Sequence, residues 1–330
     1  MSSPEHSPQP VSTAFQAAWQ RLVGPGGVLR FDEFMQLALY DDNVGYYRAT
    51  RPRVGRAPGT DFYTAMDAGT VFGQLVTAAA ISLLGKTDPG SLTFVEIGAE
   101  PGRSVLEGVP HPFRTVETRR LGDSLSLPDN CIIFSNELFD AQPFRRFRRQ
   151  AAHWVELGVS LTVTGLSEIE LAPVSASWLP STADEGYIFD APRKAGELAE
   201  GLVHQPWTGL FLAFDYGKSF EELAHATPEG TARAYSQHRQ SNQLLTTPGE
   251  QDLTCHVCWD WIAEPLRQAG FQGVQLQSQE SFFVHHASAA LAAIADEKAT
   301  LQSVKKQRLL QLLHPGNMGQ KFQVLHGARP

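Results

Sequence analysis

The sequence predicts an α/β fold built on a parallel sheet, on three observations. First, the short runs 93–97 (TFVEI) and 131–135 (CIIFS) are largely apolar, as strands buried on both faces are. Second, each run ends abruptly in glycine or polar residues, GAEPG after the first and NELFDAQP after the second. Groups released at the carboxyl ends of parallel strands stand where open α/β sheets bind ligands. Third, strand-like and helix-like segments alternate from residue 92 onward.

The elements follow in chain order. The tail 1–12, MSSPEHSPQPVS, is rich in Ser and Pro and is expected to be disordered. Apolar spacing over 13–22 and 31–39 is helical, with Ser12 or Thr13 as a cap and GPGG at 24–27 as the stop. A Gly-, Pro- and Arg-rich loop spans 41–64. A third helix is expected over 70–84, where Val71, Phe72, Leu75, Val76, Ala79 and Leu83 share one face. Strands are expected at 93–97, 113–118, 131–135, 152–157, 209–214, 273–277 and 321–326, and helices at 193–202, 258–269, 286–297 and 302–313. This divides the chain into a helical and loop extension, 13–91, and a sheet domain, 92–330, carrying an insertion over 144–208 with its own hairpin.

Bulk properties narrow the function. A formal charge of −8 argues against non-specific binding to nucleic acid or anionic membrane. No apolar run is long enough to span a bilayer, and the N-terminus lacks the basic and apolar regions of a secretory signal. Three cysteines, Cys131, Cys255 and Cys258, are too few for a disulfide framework and fit a reducing cytoplasm. Cys255 and Cys258 have no second pair with which to bind zinc, so no metal is expected.

The richest motif is NELFDAQP. Asn136, Glu137 and Asp140 leave a buried strand within five residues, close enough to orient a substrate nitrogen, accept a proton or fix a cofactor amine. Asp140 could instead cap a following helix. EIGAEPG places Gly98 and Gly102 after a strand and is expected to open a helix whose N-terminus favours negative charge. In FLAFDYGKS, Asp215 and Tyr216 fall on the same rim, either as ligand contacts or as a strand-end turn. The charged stretch 233–257, with Arg233, His238, Asp252 and His256, reads as a solvated loop.

Taken together, GYY (45–47), DFYTA (61–65), FGQL (72–75), EIGAEPG, NELFDAQP, DYG (215–217), RAYSQHR (233–239), PGEQDLTCHV (248–257) and HPGNMGQKFQVL (314–325) resemble the MidA-like family of S-adenosylmethionine-dependent methyltransferases. That family includes the mitochondrial complex I assembly factor that dimethylates a protein arginine. The resemblance runs from about residue 30 to the C-terminus. It implies a class I methyltransferase-like Rossmann sheet with an N-terminal helical extension, an inserted segment and a final antiparallel strand. It further implies a protein arginine methyltransferase with S-adenosyl-L-methionine as cofactor and a protein as substrate or partner. The cofactor residues would be Glu96, Gly98, Gly102, Glu117, Asp123, Asp61 and Thr64, and Asn136, Glu137 and Asp140 would be catalytic. Tyr46, Tyr47, Asp215, Tyr216, Arg233, His238 and Asp252 would belong to substrate-side loops.

Two departures from the family pattern stand out. Glu100 replaces the middle glycine of the turn, facing the cofactor's own carboxylate with a like charge. Only 28 residues separate Gly102 from Cys131, room for one strand where class I sheets carry two with their helices. One sheet unit is therefore expected to be shortened. A relative that keeps the fold and grips a protein partner with impaired catalysis is the alternative reading.

Overall fold

The computed structural model describes residues 11–24, 26–48, 65–99, 102–120, 123, 125–296 and 303–330. They form two compact units interleaved along the chain, one drawn from 1–62, 141–194 and 218–258, the other from 63–140, 195–217 and 259–330. This replaces the contiguous division at residue 91. Compactness follows which strands pair, and the chain leaves the sheet unit after residue 140 and rejoins it at residue 195.

The sheet unit holds six strands: β1 (Thr93–Ile97), β2 (Thr115–Arg119), β3 (Asn130–Asn136), β4 (Thr208–Asp215), β5 (Gln272–Ser278) and β6 (Gln323–Arg329). Their order across the sheet is β5-β6-β4-β3-β1-β2. The pairs β1–β2, β1–β3 and β3–β4 are parallel. The last strand, β6, lies antiparallel between β4 and β5, as the resemblance implies. β1 is buried at every position, which explains its run of apolar residues without alternation.

One sheet face carries Phe94, Ile132, Phe134, Leu212 and Phe214 into a core with the helices Thr70–Leu84, Gln279–His286 and Val304–Leu313. Phe72 of the first helix meets Phe134, Phe214 and Phe283 at ring-centroid distances of 6.3, 5.5 and 6.1 Å. That helix, assigned from sequence to the N-terminal extension, is thus part of the sheet unit. The helix expected over 286–297 is Ser288–Asp296, and a further helix not read from the sequence, Gln279–His286, precedes it. Ser278 starts Gln279–His286 by accepting from the Ser281 N–H.

Among the described residues, no helix lies between β1 and β2. Residues 102–109 are turns and extended chain, contrary to the expectation from EIGAEPG. Gly108 takes a φ of 68°, and Pro110 and Pro112 lack the N–H groups that a helix would require. Among the described residues, the ten-residue link from β2 to β3 also carries no helix or strand. The shortened unit is therefore visible as a sheet that ends at β2.

The second unit is antiparallel. His153–Thr162 and Gly165–Val174 form the expected hairpin, joined by Arg145–Gln150, Ile188–Ala191 and Val28–Arg30. The helices Thr13–Val23 and Phe31–Tyr40 bury Phe15, Trp19, Phe34 and Leu39 in a core shared with Phe144 and Val159. The stretch read as a solvated loop contains three short paired strands, Arg233–Ser236, Arg239–Ser241 and Asp252–Thr254. Buried Asp190 organises their start. Its carboxylate accepts from the Thr231 and Ala232 N–H groups at 2.7 and 2.8 Å and pairs with Arg146.

Candidate active site

The chain passes from β1 to β2 on one side and returns to β3 on the other, so strand order reverses between β1 and β3. Ligands of open α/β sheets bind in the crevice at such a reversal, beyond the carboxyl ends of the strands. Ile97 pairs with Ser135, so Gly98 and Asn136 follow side by side at that point. Gly98 has a φ of 86°, and a Cβ placed on it would lie 2.8 Å from Leu138 Cδ1. The positive φ favours glycine there, and a methyl would also displace the end of the Leu138 side chain.

Asn136 donates from Nδ2 to Glu137 Oε1 at 3.1 Å. Its Oδ1 is buried and has no hydrogen-bond partner among the described residues. Buried acceptors are ordinarily satisfied, so an orphan one at a sheet switch point marks a place for a ligand donor. Glu137 has a φ of 52°, a left-handed conformation that is costly for a non-glycine residue and concentrates at functional sites. Its N–H is tied to the Phe214 carbonyl at 2.9 Å. No helix follows Asp140; the chain turns and enters Arg145–Gln150, so Asp140 is not a helix cap.

Asp215 holds this turn from beneath. Oδ2 accepts from the N–H groups of Phe139 and Asp140 at 2.9 and 3.2 Å, and Oδ1 accepts from Tyr216 at 2.8 Å. Burial, which is complete, pushes its carboxyl up to about 7, with the charge of Glu137 adding to the rise against the three amide bonds. Asp215, expected as a substrate-side contact, has 0% exposure and commits its carboxylate to the backbone of this turn. Tyr216 packs edge-on against Phe322 at 5.6 Å.

The expected cofactor carboxylates are otherwise engaged. Glu96, inside β1, accepts through Oε2 from Ser104 Oγ and the Val105 N–H, both at 2.8 Å, and burial raises its pKa. It closes the turn that follows the glycines. Glu117 lies in mid-strand opposite Val95 and bonds Arg119, leaving an arginine at the end of β2. Asp123 accepts from the Arg120 N–H at 2.8 Å and shapes a surface turn. Gly102 has a φ of 72° with open space where a Cβ would stand. Beside it is an open hollow of about 430 Å3, whose walls include Arg103, Ser104, Glu107, His111, Val116 and Thr118. Glu107 and His111 escaped the sequence reading, since a lone Glu or His in a loop carries no pattern.

The expected substrate-side residues Tyr46, Tyr47, Arg233, His238 and Asp252 belong to the other unit, whereas Asn136 and Asp215 belong to the sheet unit. Tyr46 is fully buried and meets Tyr47 edge-on at 5.3 Å. Tyr47 donates to Asp252 Oδ1 at 2.8 Å. Arg233 donates to the Ala232 carbonyl at 2.6 Å, and exposed His238 sits in the tight turn between the first two short strands with a φ of 61°. Asp61 and Thr64 lie outside the described residues.

A glycine turn after the first strand, with an Asn-Glu exit on its neighbour across the switch point, defines a Rossmann-like sheet of the methyltransferase class. A family model described as "Putative S-adenosyl-L-methionine-dependent methyltransferase" matches residues 115–276, just under half of the chain. In overall structure the chain is similar to a Burkholderia thailandensis protein bound to S-adenosyl-homocysteine, with a TM-score of 0.82, 23% identity, and coverage of 96% of this chain and 92% of that one. It is also similar to the native structure of a protein of the same superfamily from that organism, with a TM-score of 0.78, 22% identity, and coverage of 96% and 91%. These likenesses bear on the fold. No curated protein sequence matches the chain.

Proposed function

We propose that this protein transfers a methyl group from S-adenosyl-L-methionine to a nitrogen of a protein side chain, an arginine guanidinium. The matching family model supports the cofactor, and the similar B. thailandensis protein was solved with S-adenosyl-homocysteine bound. The observation that carries the acceptor chemistry is the buried Asn136 Oδ1, without a partner among the described residues and one residue from a carboxylate. An acceptor of that kind suits a hydrogen-bond donor such as a guanidinium N–H.

Held beside Gly98 and Asn136, the cofactor would supply an electrophilic methyl group. The tight turn at Gly98 leaves the backbone free to approach it. Asn136 Oδ1 accepts from one guanidinium N–H and fixes the reacting nitrogen. Glu137 pairs with the cation and takes the proton that this nitrogen sheds as its new N–C bond forms. A free guanidinium ionises far above neutrality, so a positioned carboxylate must hold it and draw off the proton. Asp140 completes the acidic exit, and Asp215 keeps all three in register. A protein substrate and a cytoplasmic setting accompany this reading, the latter on cysteines that form no disulfide. Among the described residues no helix is long and apolar enough to cross a membrane.

The test is transfer of radiolabelled methyl groups into a hypomethylated cell extract, followed by acid hydrolysis. Labelled methylarginine is expected, and Glu137→Gln should abolish it while leaving the melting temperature unchanged. Label confined to another amino acid would refute the acceptor, and undiminished transfer by the variant would refute the role of Glu137.

A further inference from the structure

The six-stranded sheet ends in two edge strands, β5 and β2, and they differ. At β5 the pairing slips in register between Gln272 and Gln275, where Gly273 takes a φ of 60°. An irregularity of this kind twists an edge away from further pairing. β2 carries no such device. Its residues pair in unbroken register with β1, and the run TVETR contains neither proline nor glycine. Among the described residues, no strand pairs with its outer side. The trimmed link to β3 is what leaves that side open.

The main chain of β2 alternates in direction. The Gly98 N–H donates to the Arg119 carbonyl at 2.8 Å, so Arg119, and Glu117 two residues before it, turn their main-chain groups toward β1. Those of Val116 and Thr118 therefore face outward. The Thr118 carbonyl meets the guanidinium of Arg119 at 3.3 Å. No other main-chain or side-chain partner meets these outward groups among the described residues.

The side chains add a second pattern. Val116 and Thr118 line the hollow on one face. Side chains alternate along a strand, so Glu117 and Arg119 share the other face, where they bond each other. Opposite charges two residues apart on one face make this edge complementary to its own antiparallel copy. With Thr118 set opposite its counterpart across a two-fold axis, each Glu117 falls opposite an Arg119. The two Thr118 residues then exchange main-chain hydrogen bonds, and each Glu117–Arg119 pair takes the closer, non-hydrogen-bonded position. The charges around the axis alternate in sign.

We propose that β2 pairs antiparallel with β2 of a second copy of this chain, joining the two sheets across a two-fold axis. The contact is isologous, so it closes as a dimer and does not propagate. It is also small, which makes the dimer weak, with a Kd on the order of 10–100 µM.

The test is sedimentation velocity of the full chain from about 1 to 200 µM, a range that brackets this affinity, with melting curves to verify folding. Wild type should pass from monomer to dimer. Thr118→Pro removes an outward N–H at an edge that tolerates proline and should leave the chain monomeric. Glu117→Arg and Arg119→Glu should each weaken the dimer about tenfold or more, because each sets like charges face to face twice. The double swap, Glu117→Arg with Arg119→Glu, should restore dimerisation to within about threefold of wild type, since the alternation of sign returns. A wild-type chain that stays monomeric throughout overturns the proposal and leaves the edge to an extended segment of another protein. Self-association untouched by Thr118→Pro lies elsewhere and overturns it too. A double swap no better than the single variants refutes the register.

Discussion

Replacing Asp215 with asparagine probes the buried carboxyl that holds the turn after β3. The side chain is fully buried and its pKa is raised to about 7, whereas an unfolded chain gives an aspartate about 3.9. Between those values the folded protein keeps a proton that the unfolded chain has lost. Stability from this group is complete below about pH 4 and falls as pH rises through about 7. One proton of difference corresponds to about 1.4 kcal/mol per pH unit inside that window. The amide of the Asp215→Asn variant would not titrate. Its carbonyl oxygen can still accept from Phe139 and Asp140, but its NH2 would face the Tyr216 N–H, donor against donor. That mismatch costs about 1–3 kcal/mol at every pH. The assay is urea unfolding of both proteins from pH 4 to pH 8. The stability of wild type minus that of the variant should be greatest at the acid end and shrink steadily toward pH 7. A pH-independent difference would show that Asp215 is ionised throughout, and the account of burial outweighing three amide bonds would be wrong.

Gly98→Ala should destabilise the sheet unit by about 1–3 kcal/mol, because the methyl both meets Leu138 and requires a strained φ; an unchanged melting temperature would show that the β1 exit relaxes freely. Tyr47→Phe removes a donor from buried Asp252 and should cost about 1–3 kcal/mol in chemical denaturation, with a value near zero showing that water replaces the hydroxyl. Arg146→Ala strips the ion-pair partner from Asp190, whose side chain is 0% exposed, and should cost about 3–5 kcal/mol; a loss below about 1 kcal/mol would mean the two amide bonds at Thr231 and Ala232 suffice to hold the carboxylate.

Much of the sheet was legible in the sequence, because strands buried on both faces cannot hide their composition. The runs at 93–97, 131–135 and 209–214 coincide with β1, β3 and β4 to within a residue at each end. The helix at 70–84 was equally clear, since its apolar face recurs over four turns. The polar stretch 233–254 was misread because short strands of three or four residues hold too little periodicity to register against their charges.

Local chemistry fixed the identity of the groups at the rim: Asn136, Glu137 and Asp140 must leave the sheet together because a buried strand ends there. Which of them has an unmet hydrogen bond was a question of three dimensions. Asp215, 75 residues or more downstream of the turn it clamps, reads in one dimension like any strand-end aspartate, and only pairing of β3 with β4 turns it inward. The alternation that points Thr118 toward a hollow and Glu117 away from it depends on strand register and on what covers each face. Composition decides what can be buried; the pairing of distant strands decides which polar atoms are left without a partner, and those atoms select the ligand.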